Sequence, residues 1–170
     1  ANNLIFAKST ESIAIYGGQG GSNAVLVVHE YGNNNFRAYP ISSQGIGQPV
    51  ISSEGSVPAL NNPNDGRGYM KFGGISDDST STVIAVPFAD KIEIFEFDLQ
   101  TLEVTGPTTT INNINGFPYG MEFQGDTLIF STNFGLFYAN ASGVPSNVNA
   151  QAGPTGPNFG ALQVGPDGQI

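Results

Sequence analysis

Short runs in which apolar and polar residues alternate recur along this chain, and each run predicts a β-strand with one buried face. One run occurs three times, and we call its copies the first echo (Gly68–Phe72), the second echo (Tyr119–Phe123) and the third echo (Gly160–Val164). The last apolar residues of these echoes stand 51 and 41 residues apart. Strand repeats of roughly 40–50 residues are typical of β-propeller blades. The pattern predicts an all-β partial propeller, with about three four-stranded antiparallel blades plus remnants of neighbouring blades.

The predicted blades cover residues 8–58, 66–113 and 117–156, and the next blade starts at residue 158. The strands expected in the first two blades are Ser12–Tyr16, Ala24–Tyr31, Asn35–Ile41, Gln48–Ser52, Tyr69–Phe72, Thr82–Phe88, Lys91–Leu99 and Pro107–Ile111. The third blade is expected to contain Tyr119–Phe123, Thr127–Thr132 and Gly135–Ala139, followed by a loop over 143–156. No segment longer than a turn combines the periodicity and the caps of a helix, so almost no helix is expected.

The amino-acid composition agrees with many short strands joined by tight turns. Among 170 residues there are 23 Gly, 11 Pro and 17 Asn, and all three residue types favour turns. The net charge of −9 disfavours nucleic acid and anionic membrane surfaces as partners, since both attract basic proteins. The absence of cysteine excludes disulfides, zinc–thiolate sites and cysteine nucleophiles. No apolar run approaches the roughly 20 residues of a membrane-spanning helix.

Both ends of the chain suggest a piece of a larger protein. The chain starts at Ala1 without an initiator Met or a signal-peptide pattern, which suggests a processed N-terminus. At the other end, a predicted strand and a Pro-Asp-Gly turn lead into the start of another strand at Ile170. Propellers generally need about four blades or more to close. We therefore expect missing blades from the same chain, blades from another chain, or an open array.

Seven motifs occur in order from Glu11 onward. They are Glu11–Ile13, Val27–Glu30, Asn35–Tyr39, Gly68–Phe72, Ile94–Asp98, Pro118–Phe123 and Gly160–Ile170. In this order they resemble the N-terminal β-propeller of the type 9 secretion and gliding-motility-associated surface proteins of Bacteroidota. The resemblance implies export to the bacterial cell surface and a role in adhesion, motility or scaffolding, without catalytic residues. The sequence departs from the usual Ser-Pro-Asp-Gly turn after Phe72 and after Phe123, and both departures lie in predicted hairpin turns.

Three aromatic residues stand at or near the start of a first strand, which lines the central channel in a propeller. These residues are Tyr69, Tyr119 and Phe159. Exposed aromatic rings there would stack on a sugar or a peptide. The alternative is that the rings pack against the adjacent blade. They are the candidate ligand or partner contacts of the chain.

Possible modification sites lie in or beside predicted turns. Asp78-Ser79-Thr80 and Asp126-Thr127-Leu128 resemble the Asp-Ser/Thr-apolar O-glycosylation pattern known from that bacterial group, which makes Ser79 and Thr127 the candidate acceptors. Asn140-Ala141-Ser142 is an N-glycosylation sequon, which we expect to be idle in a bacterial protein.

His29 is the single histidine of the chain, and it lies between an apolar run and Glu30. Adjacent residues on a strand point to opposite faces, so Glu30 is badly placed to orient the imidazole as a general base. We therefore expect His29 to be structural, at the end of a buried strand. One histidine also excludes a metal site with several histidine ligands.

Three loops have some features of ligand sites. Asn64–Gly66 and Asp77–Asp78 are rich in side-chain oxygen, but neither matches the spacing of a calcium-binding loop. Gly17–Gly21 is rich in glycine, but it lacks the Lys and Ser/Thr of a phosphate-binding loop. Turn chemistry is the better interpretation of all three segments.

The sequence thus predicts a non-catalytic recognition or scaffolding module of a secreted surface protein, with no cofactor and no metal. Its expected partners are a protein or glycan ligand, proteins of the secretion and motility machinery, and the remaining blades. One alternative is a lactonase-like propeller hydrolase with a channel-bound metal, for which Glu11, Asp65 and Glu122 are the loosely placed carboxylates. Another is a secretion substrate bound to a larger translocation machine.

Overall fold

The computed structural model describes residues 7–17, 23–59, 62, 64–75, 80–140, 149–151, 160–165 and 170. In this part of the chain the strands form three antiparallel sheets, and no residue is helical. The same residues therefore contain no helix that is long and apolar enough to cross a membrane. The prediction of an all-β antiparallel protein is confirmed, whereas the three sheets do not close into a ring.

Each sheet is built from strands that follow one another in the sequence. The first contains β1 (Ser9–Gly17), β2 (Ala24–Glu30), β3 (Asn35–Ser42), β4 (Gly45–Ile46) and β5 (Val50–Ser53). The second contains β6 (Lys71–Ile75), β7 (Ser81–Pro87), β8 (Ile92–Asp98) and β9 (Val104–Ile111). The third contains β10 (Met121–Gln124), β11 (Thr127–Thr132), β12 (Gly135–Asn140) and β13 (Asn149–Gln151). Consecutive strands are neighbours throughout, except that β4 and β5 both pair with β3.

The second sheet has apolar residues packed on both of its faces. One core cluster joins it to the first sheet and contains Ala14, Val27, Phe36, Ala38, Met70, Ile84, Val86, Phe88, Phe95, Phe97 and Val104. The other joins it to the third sheet and contains Ala85, Ile92, Ile94, Ile111, Met121, Leu128, Phe130, Phe137 and Ala139. Because both faces are covered, all four residues from Ile92 to Phe95 are buried, including Glu93.

The first strands of the three sheets lie next to one another in chain order. β1 contacts β6, and β6 contacts β10. Backbone hydrogen bonds reinforce the arrangement, since Glu11 N in β1 donates to Gly66 O at 2.7 Å, and Tyr69 N before β6 donates to Tyr119 O before β10 at 2.8 Å. The segments that precede β6 and β10 are therefore held side by side.

Several predicted strand limits were wrong. β6 and β10 start at Lys71 and Met121, two residues later than expected, and β9 starts at Val104, three residues earlier. The amide of Tyr69 is used between sheets, bonding to Tyr119, so it does not extend the pairing of β6 with β7. Strand β4 was not predicted, and the loop expected over 143–156 contains strand β13, which pairs with β12.

The third echo is not a strand, contrary to the prediction. The described residues 160–165 have no strand assignment. Two of their backbone groups bond to side chains instead of a neighbouring strand. Ser131 Oγ donates to Gly160 O at 2.7 Å, and Val164 N donates to Glu122 Oε2 at 3.4 Å. A strand requires a ladder of backbone partners, and these side-chain bonds do not supply one.

Candidate functional site

A groove of about 520 Å³ opens where the segments preceding β6 and β10 meet. Its volume lies within the range of roughly 300–1,000 Å³ that is typical of small-molecule sites. We call it the Tyr119 groove, and it is lined by Asn64, Arg67, Phe117, Pro118, Tyr119, Asn133 and Gly160. The lining combines aromatic rings with amide and guanidinium groups, which can pack against and hydrogen-bond to a polar ligand.

The backbone at the base of the groove is firmly held by hydrogen bonds. Phe117 N donates to Asn133 Oδ1 at 2.9 Å, and Tyr119 N donates to Ser131 O at 2.9 Å. Gly120 N donates to Ser131 Oγ, also at 2.9 Å. The turn before Phe117 requires glycine, because Gly116 has a φ of 96° and an added Cβ would lie 2.3 Å from Asn133 Oδ1. The groove is therefore preformed, and the N–H groups of Phe117, Tyr119 and Gly120 are already hydrogen-bonded.

Two of the three predicted aromatic contacts come together beside this groove. The ring centroids of Tyr69 and Tyr119 are 5.3 Å apart with an interplanar angle of 72°, an edge-to-face arrangement. A hydrogen bond between the phenol groups of Tyr119 and Tyr69 raises the pKa of the Tyr119 phenol, because it holds the Tyr119 proton. Tyr69 keeps 43% of its surface exposed. The third aromatic, Phe159, lies outside the described residues.

Sequence reasoning missed Phe117 and Arg67, which both line the groove. Phe117 is 47% exposed, a large value for an aromatic side chain beside a cavity. The available signal was its position in a segment rich in Asn, Gly and Pro, where a large apolar residue has no strand face to bury. No sequence pattern marked Arg67, because an arginine becomes a candidate binding residue only through the groups that lie beside it in the fold.

Arg67 is the cation of the groove. Its Nη1 atom donates to Asn64 Oδ1 at 3.3 Å, and it forms no ion pair with any described residue. Three other cations of the chain are paired with carboxylates, since Arg37 binds Glu30, Lys71 binds Glu122 and Lys91 binds Glu93. The guanidinium of Arg67 is exposed and has donors left for a ligand.

A second cavity of about 330 Å³ lies between the first strands of the sheets and the third echo. It is lined mainly by Ile13, Ala14, Ile15, Tyr69, Met70, Lys71, Phe72, Met121, Ala161, Leu162 and Gln163. Ile15 is 64% exposed there. Lys71 is the single charged residue among the described lining residues and is paired with Glu122, and the cavity wall is about equally polar and apolar.

The three carboxylates of the hydrolase alternative are not brought together. Glu122 pairs with Lys71, and Glu11 accepts a 3.5 Å hydrogen bond from Gly68 N. Asp65 accepts from Ala59 N at 2.9 Å and from Ala89 N at 2.7 Å, so its two oxygens join two loops. No group of three or more His, Asp or Glu side chains suited to a metal ion occurs among the residues that the structure describes.

His29 is 1% exposed and is packed edge-on against Phe36 and Phe88. Its Nδ1 atom lies 2.9 Å from Glu30 O, so Nδ1 carries the hydrogen, and Nε2 has no hydrogen-bond partner in the described part of the chain. Burial lowers the pKa of this imidazole to about 4, although the Glu30 carbonyl and the charges of Glu93 and Glu30 act in the opposite direction. The Glu30 carboxylate bonds to Asn33 and Arg37 and not to the ring. The prediction of a structural histidine agrees with this environment.

Sequence reasoning also missed a buried polar cluster formed by Ser56, Lys91 and Glu93. Lys91 Nζ lies 2.7 Å from Ser56 Oγ and 2.8 Å from Glu93 Oε1, and Ser56 Oγ donates to the same carboxylate at 2.6 Å. Burial raises the pKa of Glu93, but the bonds from Lys91 and Ser56 outweigh it and hold this pKa below its usual value. A serine beside a lysine resembles a nucleophile and its base, but here both groups bond to the Glu93 carboxylate. The cluster joins the residues after β5 to strand β8.

The remaining candidates divide between described and undescribed residues. Thr127 opens β11 opposite Asn140 and is half-buried. Ser79, Asp77–Asp78 and most of Gly17–Gly21 lie outside the described residues, as does the rest of the sequon after Asn140. The possible glycosylation sites therefore stay predictions.

No known protein family matches this chain, and a search of curated proteins finds no match either. Relatives therefore supply no assignment for any of these residues.

Proposed function

We propose that this chain is a non-catalytic recognition module that binds a glycan or protein ligand in the Tyr119 groove. The observation that carries the proposal is the lining of this preformed groove by the exposed ring of Phe117, the half-buried ring of Tyr119, side-chain amides and a guanidinium without an ion pair among the described residues. Aromatic rings offer apolar faces, and amide and guanidinium groups orient a polar ligand. Among the described residues that line the groove, none is a nucleophile with an activating base.

The architecture that we propose is part of a β-propeller, with each sheet as one blade. Each sheet is an antiparallel meander of consecutive strands. The sheets pack face to face through two apolar clusters, and their first strands are neighbours in chain order. The third echo runs past Ser131 and Glu122 beside β10, where the inner strand of a following blade would lie. Further blades of the same protein or of another chain would complete the ring.

We also propose that the chain belongs to a secreted bacterial surface protein exported by the type 9 secretion system. The resemblance of its motifs to such propellers supports this setting, and a role in adhesion or gliding motility follows from it. The net charge of −9 suits a protein that works in solvent and resists self-association. Proteins of the secretion and motility machinery would then be its partners, in addition to the ligand.

Binding of fluorescently labelled chain to an array of glycans and cell-surface proteins tests the recognition function. Hits would then be titrated against Phe117→Ala and Tyr119→Ala, with Tyr138→Ala as the matched control, because Tyr138 is an exposed aromatic on β12 outside the groove. Loss of a stacking ring is expected to weaken binding at least about tenfold, equivalent to roughly 1.4 kcal/mol. Equal binding by all three variants would overturn the proposed site.

A further inference from the structure

We infer that the Tyr119 groove recognises a saccharide that carries a carboxylate, with Arg67 pairing with that group. This inference rests on the proposed recognition function and adds the chemical class of the ligand. It depends on three features of the groove. The Arg67 guanidinium forms no ion pair among the described residues, the neighbouring side chains can hydrogen-bond to hydroxyl groups, and several backbone amides are already hydrogen-bonded within the chain.

Arg67 is the feature that selects an anionic group. Its fork of N–H donors matches a carboxylate in two-point geometry, and charged hydrogen bonds of this type are stronger than neutral ones. A surface arginine in a protein of net charge −9 would ordinarily find an internal carboxylate, as Arg37 does with Glu30. Arg67 bonds only to the neutral Asn64 amide among the described residues, which holds the guanidinium at the groove without neutralising it.

The other lining groups favour a sugar. Phe117 and Tyr119 present rings against which the C–H face of a pyranose can pack. The Asn133 amide accepts from Phe117 N through Oδ1, so its Nδ2 group is the donor that remains for a hydroxyl. Amide and guanidinium donors around aromatic faces fit a molecule with many hydroxyls and few charges.

A peptide is disfavoured because the groove has little backbone to offer it. Extended peptides commonly bind by pairing with an exposed strand edge. The amides of Phe117, Tyr119 and Gly120 are already bonded to Asn133 or Ser131. The carbonyl of Tyr119 accepts from Tyr69 N, and that of Gly160 accepts from Ser131 Oγ. A ligand beside residues 117–120 would therefore be recognised mainly through side chains.

The overall charge limits the density of carboxylates on the ligand. One guanidinium can bind one carboxylate at short range, where screening by salt is weak. The charge of −9 repels a ligand with many closely spaced anions, and the Glu11 charge also acts on Tyr119. We therefore expect a saccharide with isolated carboxylates, such as a uronate between neutral sugars.

Calorimetric titration with short oligosaccharides that carry one uronate between neutral sugars, each compared with its methyl ester, tests the inference. The ester keeps the shape and the hydroxyls of the sugar but removes its charge. We expect the acid to bind at least about tenfold more tightly than the ester, which corresponds to loss of a charged hydrogen-bonded pair of roughly 1.4 kcal/mol. In Arg67→Gln the two forms should bind equally. Lys8→Gln, which removes an exposed cation outside the groove, should keep the preference.

The possible outcomes separate this inference from the proposed function. Equal affinity of acid and ester for the unaltered chain would overturn the role of Arg67 while leaving a recognition groove. Binding of a peptide, and of no uronate at millimolar concentration, would overturn the saccharide class. Unchanged preference in Arg67→Gln would assign the carboxylate to another site. Thermal unfolding of each variant, expected at the same temperature as the unaltered chain, shows that the fold is intact.

Discussion

The Nζ atom of Lys71 lies 2.8 Å from Oε2 of Glu122, so an ion pair joins the first strands of the second and third sheets. The Glu122 side chain is 6% exposed and the Lys71 side chain 37%, which places the carboxylate inside and the ammonium at the edge. Val164 N donates to the same Oε2 atom at 3.4 Å. A single carboxylate therefore connects two strands and the third echo.

Removing Lys71 should destabilise the fold, because Glu122 would remain buried without its cation. We expect Lys71→Met to lower the free energy of unfolding by about 2 kcal/mol. Lys8→Met, at an exposed position, should change it by less than about 0.5 kcal/mol. Denaturant unfolding measures both values. Adding Glu122→Met to Lys71→Met should recover part of the loss, and an equal effect of the two lysine variants would refute the importance of the pair.

The burial of His29 predicts a loss of stability in mild acid. The pKa of His29 is about 4 in the folded chain, whereas an unperturbed histidine has a pKa of 6.5. The unfolded chain therefore takes up a proton below pH 6.5, while the folded chain resists it until about pH 4. Stability falls as the pH drops through this window, by up to about 3 kcal/mol.

His29→Phe, which keeps a ring between Phe36 and Phe88, is the variant for this measurement. Urea unfolding at several pH values between 4 and 7 should show a shallower pH dependence than in the unaltered chain. If both proteins lose stability with the same slope, His29 is not the group responsible.

Gly55 should be far less tolerant of a side chain than Gly45, although both have positive φ. A Cβ at Gly55, which has a φ of 69°, would lie 2.5 Å from Phe95 Cζ and 2.6 Å from Glu93 Oε2. At Gly45, which has a φ of 107°, it would meet nothing within 4 Å. Gly55→Ala should lower the free energy of unfolding by about 3 kcal/mol, through overpacking plus backbone strain. Gly45→Ala should lower it by about 1 kcal/mol, through strain alone. Similar unfolding midpoints for the two variants would contradict the close approach.

Asp65 should act as a structural carboxylate and not as a calcium ligand. Its oxygens accept from the amides of Ala59 and Ala89, so Asp65→Ala should cost about 2 kcal/mol in the free energy of unfolding. Added calcium at about 1 mM, the affinity range of weak extracellular sites, should leave the unfolding temperature unchanged. A rise in that temperature with calcium, absent in Asp65→Ala, would restore the metal interpretation.

The interior strands could be predicted well because their signals are local. Ala24–Glu30 forms a strand nearly as expected, and the Gly32 turn after it has the positive φ of 88° that its sequence favours. The short edge strands β4 and β13 were missed, since such strands depend on a partner more than on their own sequence. The error at the third echo was the opposite one, since a strand was predicted and none is present. Its residues alternate like a strand, but the described residues 160–165 have no backbone ladder.

Polar residues inside the fold were harder to predict. Alternation along Ile92–Asp98 suggests that Glu93 faces water, but it is 3% exposed. The sequence pattern shows two faces of a strand and does not show that another segment covers both. Lys91 neutralises this carboxylate and Ser56 donates a hydrogen bond to it, both from outside the strand, so its burial is tolerated.

The sequence by itself determined that this chain forms short antiparallel strands joined by tight turns. Alternating side chains and the conformations of Gly, Pro and Asn act between neighbouring residues, so they can be read without the fold. Only the tertiary structure decided that Arg67, Phe117 and Asn133 meet at one groove. These residues belong to segments far apart in sequence, and their proximity results from how the sheets pack and where their first strands lie. The candidate site is therefore a property of packing, since no local pattern determines which distant side chains become neighbours.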